Sequence, residues 1–251
     1  MALTNKTAAI AWVDHAAGGV IPSPATFLTP TEQAQADTLR FARRREDWLL
    51  GRWTAARLVE GIPDLRGAVL KNEPSGAPFF ERDGKRLSGC VSLSHRAGEG
   101  FCVYSRELQV GADVELVEPR SDAFTRDYFT IEEQQLGAEF TESTRKIWAN
   151  LIWSAKEAVL KTLRTGLRMD TRQVSIDLTG DIQIENCWQA LEIKCNAAAG
   201  TWIGWWQRRE SYVFTLAALS NALYNRVELH EIGKDRSSGV TKPTIIELEE
   251  T

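Results

Sequence analysis

The sequence predicts an α+β fold made of two halves of similar plan. A helix-rich segment followed by short strands occurs twice along the chain. The 251 residues suffice for one large domain or two smaller ones with a buried core. The composition, 43% hydrophobic and 25% charged, is that of an ordinary globular protein and sets aside disordered and fibrous classes.

The first apolar run, residues 8–13, reads as a short strand. Residues 28–61 read as mostly helical. Thr29 is a good N-cap, Pro30 suits the first helical position, and Glu32 completes a capping box. Gly51 weakens the interior, a break is expected near 40–43, and Gly61 followed by Ile62 and Pro63 ends the segment. Runs at 68–71, 90–94, 101–105 and 109–116 are β-branched or aromatic and separated by Gly, Pro and Asp turns, so they read as strands. Helices return over about 131–140 and 144–163. Strands follow at 174–178, 182–185, 191–195, 202–207 and 213–218. The expected organisation is an N-terminal half over 1–107, a C-terminal half over 108–220 with the junction near 107–111, and a polar, poorly ordered tail over 221–251. The repeat is one of element order, without sequence self-similarity.

The net charge of −4 argues against a general nucleic-acid binder, which carries a basic excess. None of the four cysteines forms a C-x-x-C pair, and Cys90 and Cys102 sit in apolar, strand-like runs. Reduced thiols of this kind fit the cytosol. The first residues lack the charged start and apolar run of a signal peptide, and no stretch approaches the ~20 apolar residues of a membrane span. The expectation is a soluble, cytoplasmic protein with no membrane partner.

Candidate chemistry is concentrated in a few places. Asp113 and Glu115, two apart on a predicted strand, leave the same face. Read alone, the pair is an acidic strand face or a hard-cation site, since Mg²⁺ takes carboxylates plus waters and substrate phosphates. On the helix at 144–163, Ile152, Ala155, Val159 and Leu163 make the apolar face, whereas Trp153, Glu157, Lys161 and Arg164 share another stripe. Glu157 and Lys161 read either as a surface ion pair or as part of a site. Lys156 lies at the margin of the apolar face. Arg43, Arg44, Arg45, Arg52 and Arg57 crowd one helical segment, with Arg45 and Arg52 on a common face. Such a cluster is either solvated or aimed at a polyanion, because guanidinium forks match phosphate oxygens. Ser94 and His95 end a strand just before Gly98 and Gly100, where a hydroxyl and an imidazole can meet a phosphate. His15 and His230 have no suggestive neighbours.

In this order, the arginine-rich helix at 43–57, S-L-S-H at 92–95, G-A-D-V-E at 111–115, R-D-Y-F-T-I-E-E at 126–133 and W-S-A-K-E-A-V-L-K at 153–161 resemble the 4′-phosphopantetheinyl transferase superfamily, in its long, surfactin-synthetase-type, pseudo-dimeric branch. The resemblance covers about residues 30–180. The two motifs G-x-D-x-E and W-x-x-K-E-A-x-x-K, about forty residues apart, are its specific part.

The resemblance implies a pseudo-twofold α+β fold and Mg²⁺-dependent transfer of 4′-phosphopantetheine from coenzyme A to a serine of an apo carrier protein, releasing adenosine 3′,5′-bisphosphate. It implies Asp113, Glu115 and Glu157 as metal ligands, with Asp113, Glu157 and Lys161 carrying the chemistry; the serine hydroxyl also needs a base, and Glu157, or a metal-bound water that it orients, is the candidate. Ser94 and His95 match the pair that contacts the nucleotide phosphates, and Arg45 and Arg52 fall where the family binds coenzyme A. Lys156 and Lys161 are grouped with them as coenzyme A contacts. The chain departs from the family at Ala77, where a basic residue is usual within G-[KR]-P. Lys71 and Arg82 are the expected substitutes. Val91 and Ser92 stand where the family has F-N. A monomer is implied, with the carrier docking over about 125–140. The alternative from another class is a non-catalytic coenzyme A or nucleotide binder on the same fold.

Overall fold

In the computed structural model, residues 6–221, 224, 226–233 and 244–247 are described. The chain begins with strand β1, Thr7–His15, followed by helices α1, Pro30–Thr38, and α2, Ala42–Gly61. Thr29 caps α1 with the expected capping box: Glu32 N donates to Thr29 Oγ1 (3.3 Å), and Thr29 N donates to Glu32 Oε2 (3.0 Å). The helical segment breaks between Thr38 and Ala42, as the sequence predicts. Strands β2, Val69–Asn72, β3, Pro78–Arg82, and β4, Lys85–Arg86, form a small sheet of their own. Then come β5, Cys90–Arg96, β6, Glu99–Ser105, and β7, Gln109–Leu116.

Three helices follow: α3, Asp122–Tyr128, α4, Ile131–Glu139, and α5, Glu142–Thr162. Strands β8, Val174–Leu178, β9, Gln189–Cys195, β10, Thr201–Arg209, and β11, Tyr212–Ser220, complete this region. The last described strands are β12, Arg226–Glu231, and β13, Thr244–Glu247.

Two five-stranded sheets dominate, with orders β13-β12-β1-β6-β5 and β7-β11-β10-β9-β8. Period-two alternation places Phe101 and Val103 of β6, Val110, Ala112 and Val114 of β7, and Phe214 and Leu216 of β11 in one core between the sheets. The opposite faces are covered by the two long helices. Ala55, Leu58 and Val59 of α2 pack on Val13, Val91 and Cys102. Leu151, Ala155 and Val159 of α5 share a core with Val174, Trp206 and Val213. The architecture is α+β, in four layers.

Both helices approach their sheets at a strand glycine. A Cβ on Gly100 of β6 would lie 2.4 Å from Thr54 Oγ1 of α2, and one on Gly111 of β7 would lie 1.9 Å from Ala158 O of α5. In each case the facing threonine, Thr54 or Thr162, turns its hydroxyl back to the carbonyl four residues earlier. Close approach of a helix backbone to a strand is what a missing side chain permits.

Several expectations are corrected. Residues 226–231 and 244–247 are strands, not a polar tail: β12 lies parallel to β1, with Ala8 opposite Val227, and β13 pairs with β12. Val227 and Leu229 are buried in the core between the sheets, which is why this segment is held. Most of the polar run G-K-D-R-S-S-G-V-T-K-P lies outside the described residues. Residues 182–185 form no strand. Asp181 accepts from Gln183 N (2.8 Å) through its side chain and from Ile184 N (3.1 Å) through its carbonyl, closing a turn instead. The β3–β4 hairpin and α3 were not among the expected elements.

Candidate active site

The site forms where the edges of the two large sheets meet. Along β5, alternate residues stitch it to β7. Cys90 Sγ accepts from Val110 N (3.4 Å), Ser92 Oγ accepts from Ala112 N (3.0 Å), and Ser94 Oγ donates to Asp113 Oδ1 (2.7 Å). The three side chains point the same way because a strand repeats every two residues. On β7, Val110, Ala112 and Val114 face the core between the sheets, so Gly111, Asp113 and Glu115 face α5.

The stripe Trp153–Glu157–Lys161–Arg164 runs along these carboxylates. Trp153 Nε1 donates to Glu115 Oε1 (3.0 Å), and Lys161 Nζ donates to Asp113 Oδ1 (2.7 Å) and Ala112 O (3.1 Å). Helix spacing of four residues matches the two-residue step on the strand, which brings Glu157 between them. Burial holds the Glu157 carboxyl above its ordinary value, and Asp113 and then Glu115 add to the effect against Lys161. Glu115 is raised for the same reasons, burial first and Asp113 next, with Arg120 and Arg96 opposing. The structure therefore gathers the three predicted acids and Lys161.

Glu115 is held from the far side as well. Arg120 Nη2 donates to its Oε2 (3.1 Å), and Arg120 Nε donates to Asn150 Oδ1 (2.8 Å). The guanidinium of Arg120 lies 4.9 Å from the centroid of the Phe124 ring. Sequence reasoning missed Arg120 and Asn150, whose only signal was an arginine shortly after the acidic strand and an asparagine on the apolar side of a helix.

Asp113 Oδ2 is buried and has no hydrogen-bond partner among the described residues. Among the described residues, no three His, Cys, Asp or Glu side chains are grouped so that they could hold a metal ion as they stand. An oxygen-only donor set with one free carboxylate oxygen, beside two glutamates that repel it, nonetheless fits a hard cation that keeps waters and substrate oxygens in its shell. Asp113, Glu115 and Glu157 are the residues that would hold it.

A cleft of about 260 Å³ opens beside Lys161. Residues 75–78, which include the departure at Ala77, form one wall, and Lys161, Arg164 and Arg168 stand on another, with Ser92 also lining it. His95 continues β5 beyond Ser94 and stays solvent-accessible. Its pKa falls below the ordinary value mainly through desolvation, with Asp47 opposing and Lys161 reinforcing.

Two predicted coenzyme A contacts are placed elsewhere. Lys156 has no exposed surface; its ammonium meets Glu133 Oε2 (2.9 Å) and donates to Thr171 O (3.0 Å) and to Val174 O. Arg52 donates to Leu70 O and to Asn72 Oδ1 (3.3 Å), pairs with Glu32 Oε1 (3.3 Å), and stacks on Trp48. Both cations are occupied within the fold, each by the glutamate of a capping box in a preceding helix. Arg45 remains solvent-facing, 3.7 Å from Asp37. Of the substitutes expected for Ala77, Arg82 donates to Asp64 O and Arg66 O, and neither it nor Lys71 lines the cleft.

Comparison with known proteins gives a family-model match over residues 109–217, to the 4′-phosphopantetheinyl transferase superfamily. Both specific motifs lie inside that span. The chain is 26% identical over 200 residues to "4′-phosphopantetheinyl transferase HetI" from Nostoc sp., covering 72% of this chain and 81% of that protein. It is 28% identical over 150 residues to "4′-phosphopantetheinyl transferase AcpT" from Salmonella typhimurium, covering 57% and 71% respectively. The crystal structure of Thermotoga maritima holo-[acyl-carrier-protein] synthase aligns at a TM-score of 0.37 and 19% identity, over 46% of this chain and 65% of that one.

Proposed function

We propose that the chain is a member of the 4′-phosphopantetheinyl transferase superfamily, as the match over 109–217 and the two relatives support, and that it transfers 4′-phosphopantetheine from coenzyme A to a serine of an apo carrier protein, with Mg²⁺ as cofactor. The observation that carries this reading is the ion pair of Lys161, which lines the cleft, with Asp113, whose Oδ2 has no partner among the described residues and whose charge acts on Glu115 and Glu157.

In the reaction the serine oxygen forms a bond to the β-phosphorus of coenzyme A, the bridging P–O bond of the pyrophosphate breaks, and adenosine 3′,5′-bisphosphate leaves. Lys161 stands where negative charge grows on the leaving group, and the Mg²⁺, when bound, supplies charge neutralisation on the pyrophosphate. Glu157 takes the serine proton. Trp153 and Arg120 fix the orientation of Glu115.

In this reading the halves 1–107 and 108–220 are a pseudo-twofold pair in one chain, as in the long branch of the family, so a monomer holds the complete site. The carrier docks over 125–140, where Ile131 and Leu136 expose apolar surface. No helix among the described residues is long and apolar enough to cross a membrane, and with Cys90, Cys102 and Cys195 buried and unpaired we place the reaction in the cytosol.

The test is mass spectrometry of apo acyl and peptidyl carrier proteins incubated with coenzyme A, Mg²⁺ and the protein. The phosphopantetheine adduct is expected on at least one carrier. Saturable coenzyme A binding with no adduct on any carrier would make the chain a coenzyme A binder instead.

A further inference from the structure

We propose that Arg164, assisted by Arg168, is the phosphate-recognition element that replaces the basic residue absent at Ala77, and that it reads the ribose 3′-phosphate of coenzyme A. The proposal rests on the transferase reading, because it takes coenzyme A as the ligand of the cleft.

Ala77 and Arg164 line the same cleft on different walls. Arg164 follows the last turn of α5 in a left-handed conformation, with φ of +58°. That conformation closes the helix: Thr165 N donates to Leu160 O (3.1 Å) and Arg164 N to Lys161 O (3.1 Å). Glycine is the usual residue for such a position, because an L side chain there is strained. Surrounding contacts over-determine the arginine. Its Nη1 donates to Glu73 Oε1 (2.6 Å), and Arg86 Nη1 reaches the same oxygen (2.7 Å). Glu73 lies just before residues 75–78, so the pair ties the end of α5 to that part of the lining.

The charge count favours an anion. One carboxylate, Glu73, is shared by two guanidinium groups. Arg168 donates to Arg164 O (3.1 Å) and has no carboxylate partner among the described residues. Lys161 adds a further cation, paired with Asp113. The cleft is thus locally cationic in a chain of net charge −4. Arg164 keeps donors in hand: Nη2 lies 4.0 Å from Cys90 Sγ, a weak acceptor, which leaves its fork open to phosphate oxygens.

Position selects which phosphate is read. Lys161 stands at the carboxylates, where the pyrophosphate reacts. Arg164 lies three residues on, past the end of α5, and lines the cleft together with Ala77. Coenzyme A carries one phosphate beyond its pyrophosphate, on the ribose 3′ oxygen.

The experiment compares coenzyme A with 3′-dephospho-coenzyme A by isothermal titration, for the wild-type chain, Arg164→Gly and Arg164→Lys. Glycine suits a φ of +58°, so Arg164→Gly is expected to retain or raise the melting temperature, which separates binding loss from misfolding. The wild-type chain should bind coenzyme A about 10- to 100-fold more tightly than the dephospho form, the scale of a charge-assisted bidentate contact. Arg164→Gly should erase most of that ratio by weakening coenzyme A alone, and Arg164→Lys should keep part of it. A ratio that survives in Arg164→Gly, or that is absent from the wild type, overturns the proposal. Carrier modification is followed in parallel: wild-type binding without transfer defeats the transferase reading and leaves the recognition result to stand or fall on the titration.

Discussion

The glycine of G-A-D-V-E sets the distance between the two halves of the catalytic constellation, and replacing it makes a sharp test. In Gly111→Ala the new methyl would sit 1.9 Å from Ala158 O, 2.5 Å from Thr162 Oγ1 and 2.6 Å from Thr162 N. Two of these three atoms belong to the backbone of α5, so no rotamer change relieves the overlap. Restoring an ordinary contact of 3.4 Å moves the helix off the strand by about 1.5 Å. That separation acts directly on the site, because Lys161 is held to Ala112 O and Asp113 Oδ1 at 3.1 and 2.7 Å. Misplacement on this scale costs about 100-fold in turnover, and overpacking of a filled interface costs about 1–3 kcal/mol, or a melting temperature lower by about 4–8 °C for 2 kcal/mol. Carrier modification followed by mass spectrometry and a thermal melt read the two effects. Adding Thr162→Ala should give only partial recovery, since Ala158 O remains. A Gly111→Ala protein with wild-type turnover and melting temperature would refute the account of the helix–strand contact.

Other outcomes follow from the charges. Lys156→Ala leaves Glu133 buried without its cation, at a cost of about 3–5 kcal/mol and a melting temperature about 10 °C lower. Coenzyme A affinity in the folded fraction should be unchanged, and a coenzyme A titration that weakens at constant melting temperature would return Lys156 to the binding site. Glu157→Gln should remove transfer activity while raising the melting temperature of the metal-free protein. The sign follows from linkage. The raised pKa values of Glu157 and Glu115 mean that the folded state binds more protons, so stability contributed at low pH is lost as pH rises above 4.5 through the raised values. In metal-free thermal melts between pH 4 and 8 the variant should therefore lose less stability with rising pH than the wild type, and an equal slope would show that Glu157 does not titrate as described.

Much of the local structure was legible because it depends on near neighbours in the chain. Thr29 and Glu32 form the capping box that the spacing implies, and the stripe of Trp153, Glu157, Lys161 and Arg164 follows from helical period alone. Pairings between distant segments were not legible. β12 joins β1 across more than two hundred residues, and although R-V-E-L-H-E alternates as a half-buried strand does, nothing in it names a partner at the other end of the chain. The turn at Asp181 likewise overrode a short apolar run, through a side-chain hydrogen bond that competes with strand pairing.

The basic residues mark the same boundary. Arg52 and Lys156 lie on helices rich in site residues, and sequence alone gives their charge without saying what covers it. Each is claimed by a capping-box glutamate, Glu32 or Glu133, whose carboxylate serves its own helix terminus and the following long helix together. The sequence by itself determined the family resemblance, the acidic strand and the cationic helix face, because these are matters of residue type and period. Only the tertiary structure decided which cations face the cleft, because a buried charge is settled by the nearest opposite charge in space, and in both helices that partner came from another element of the fold.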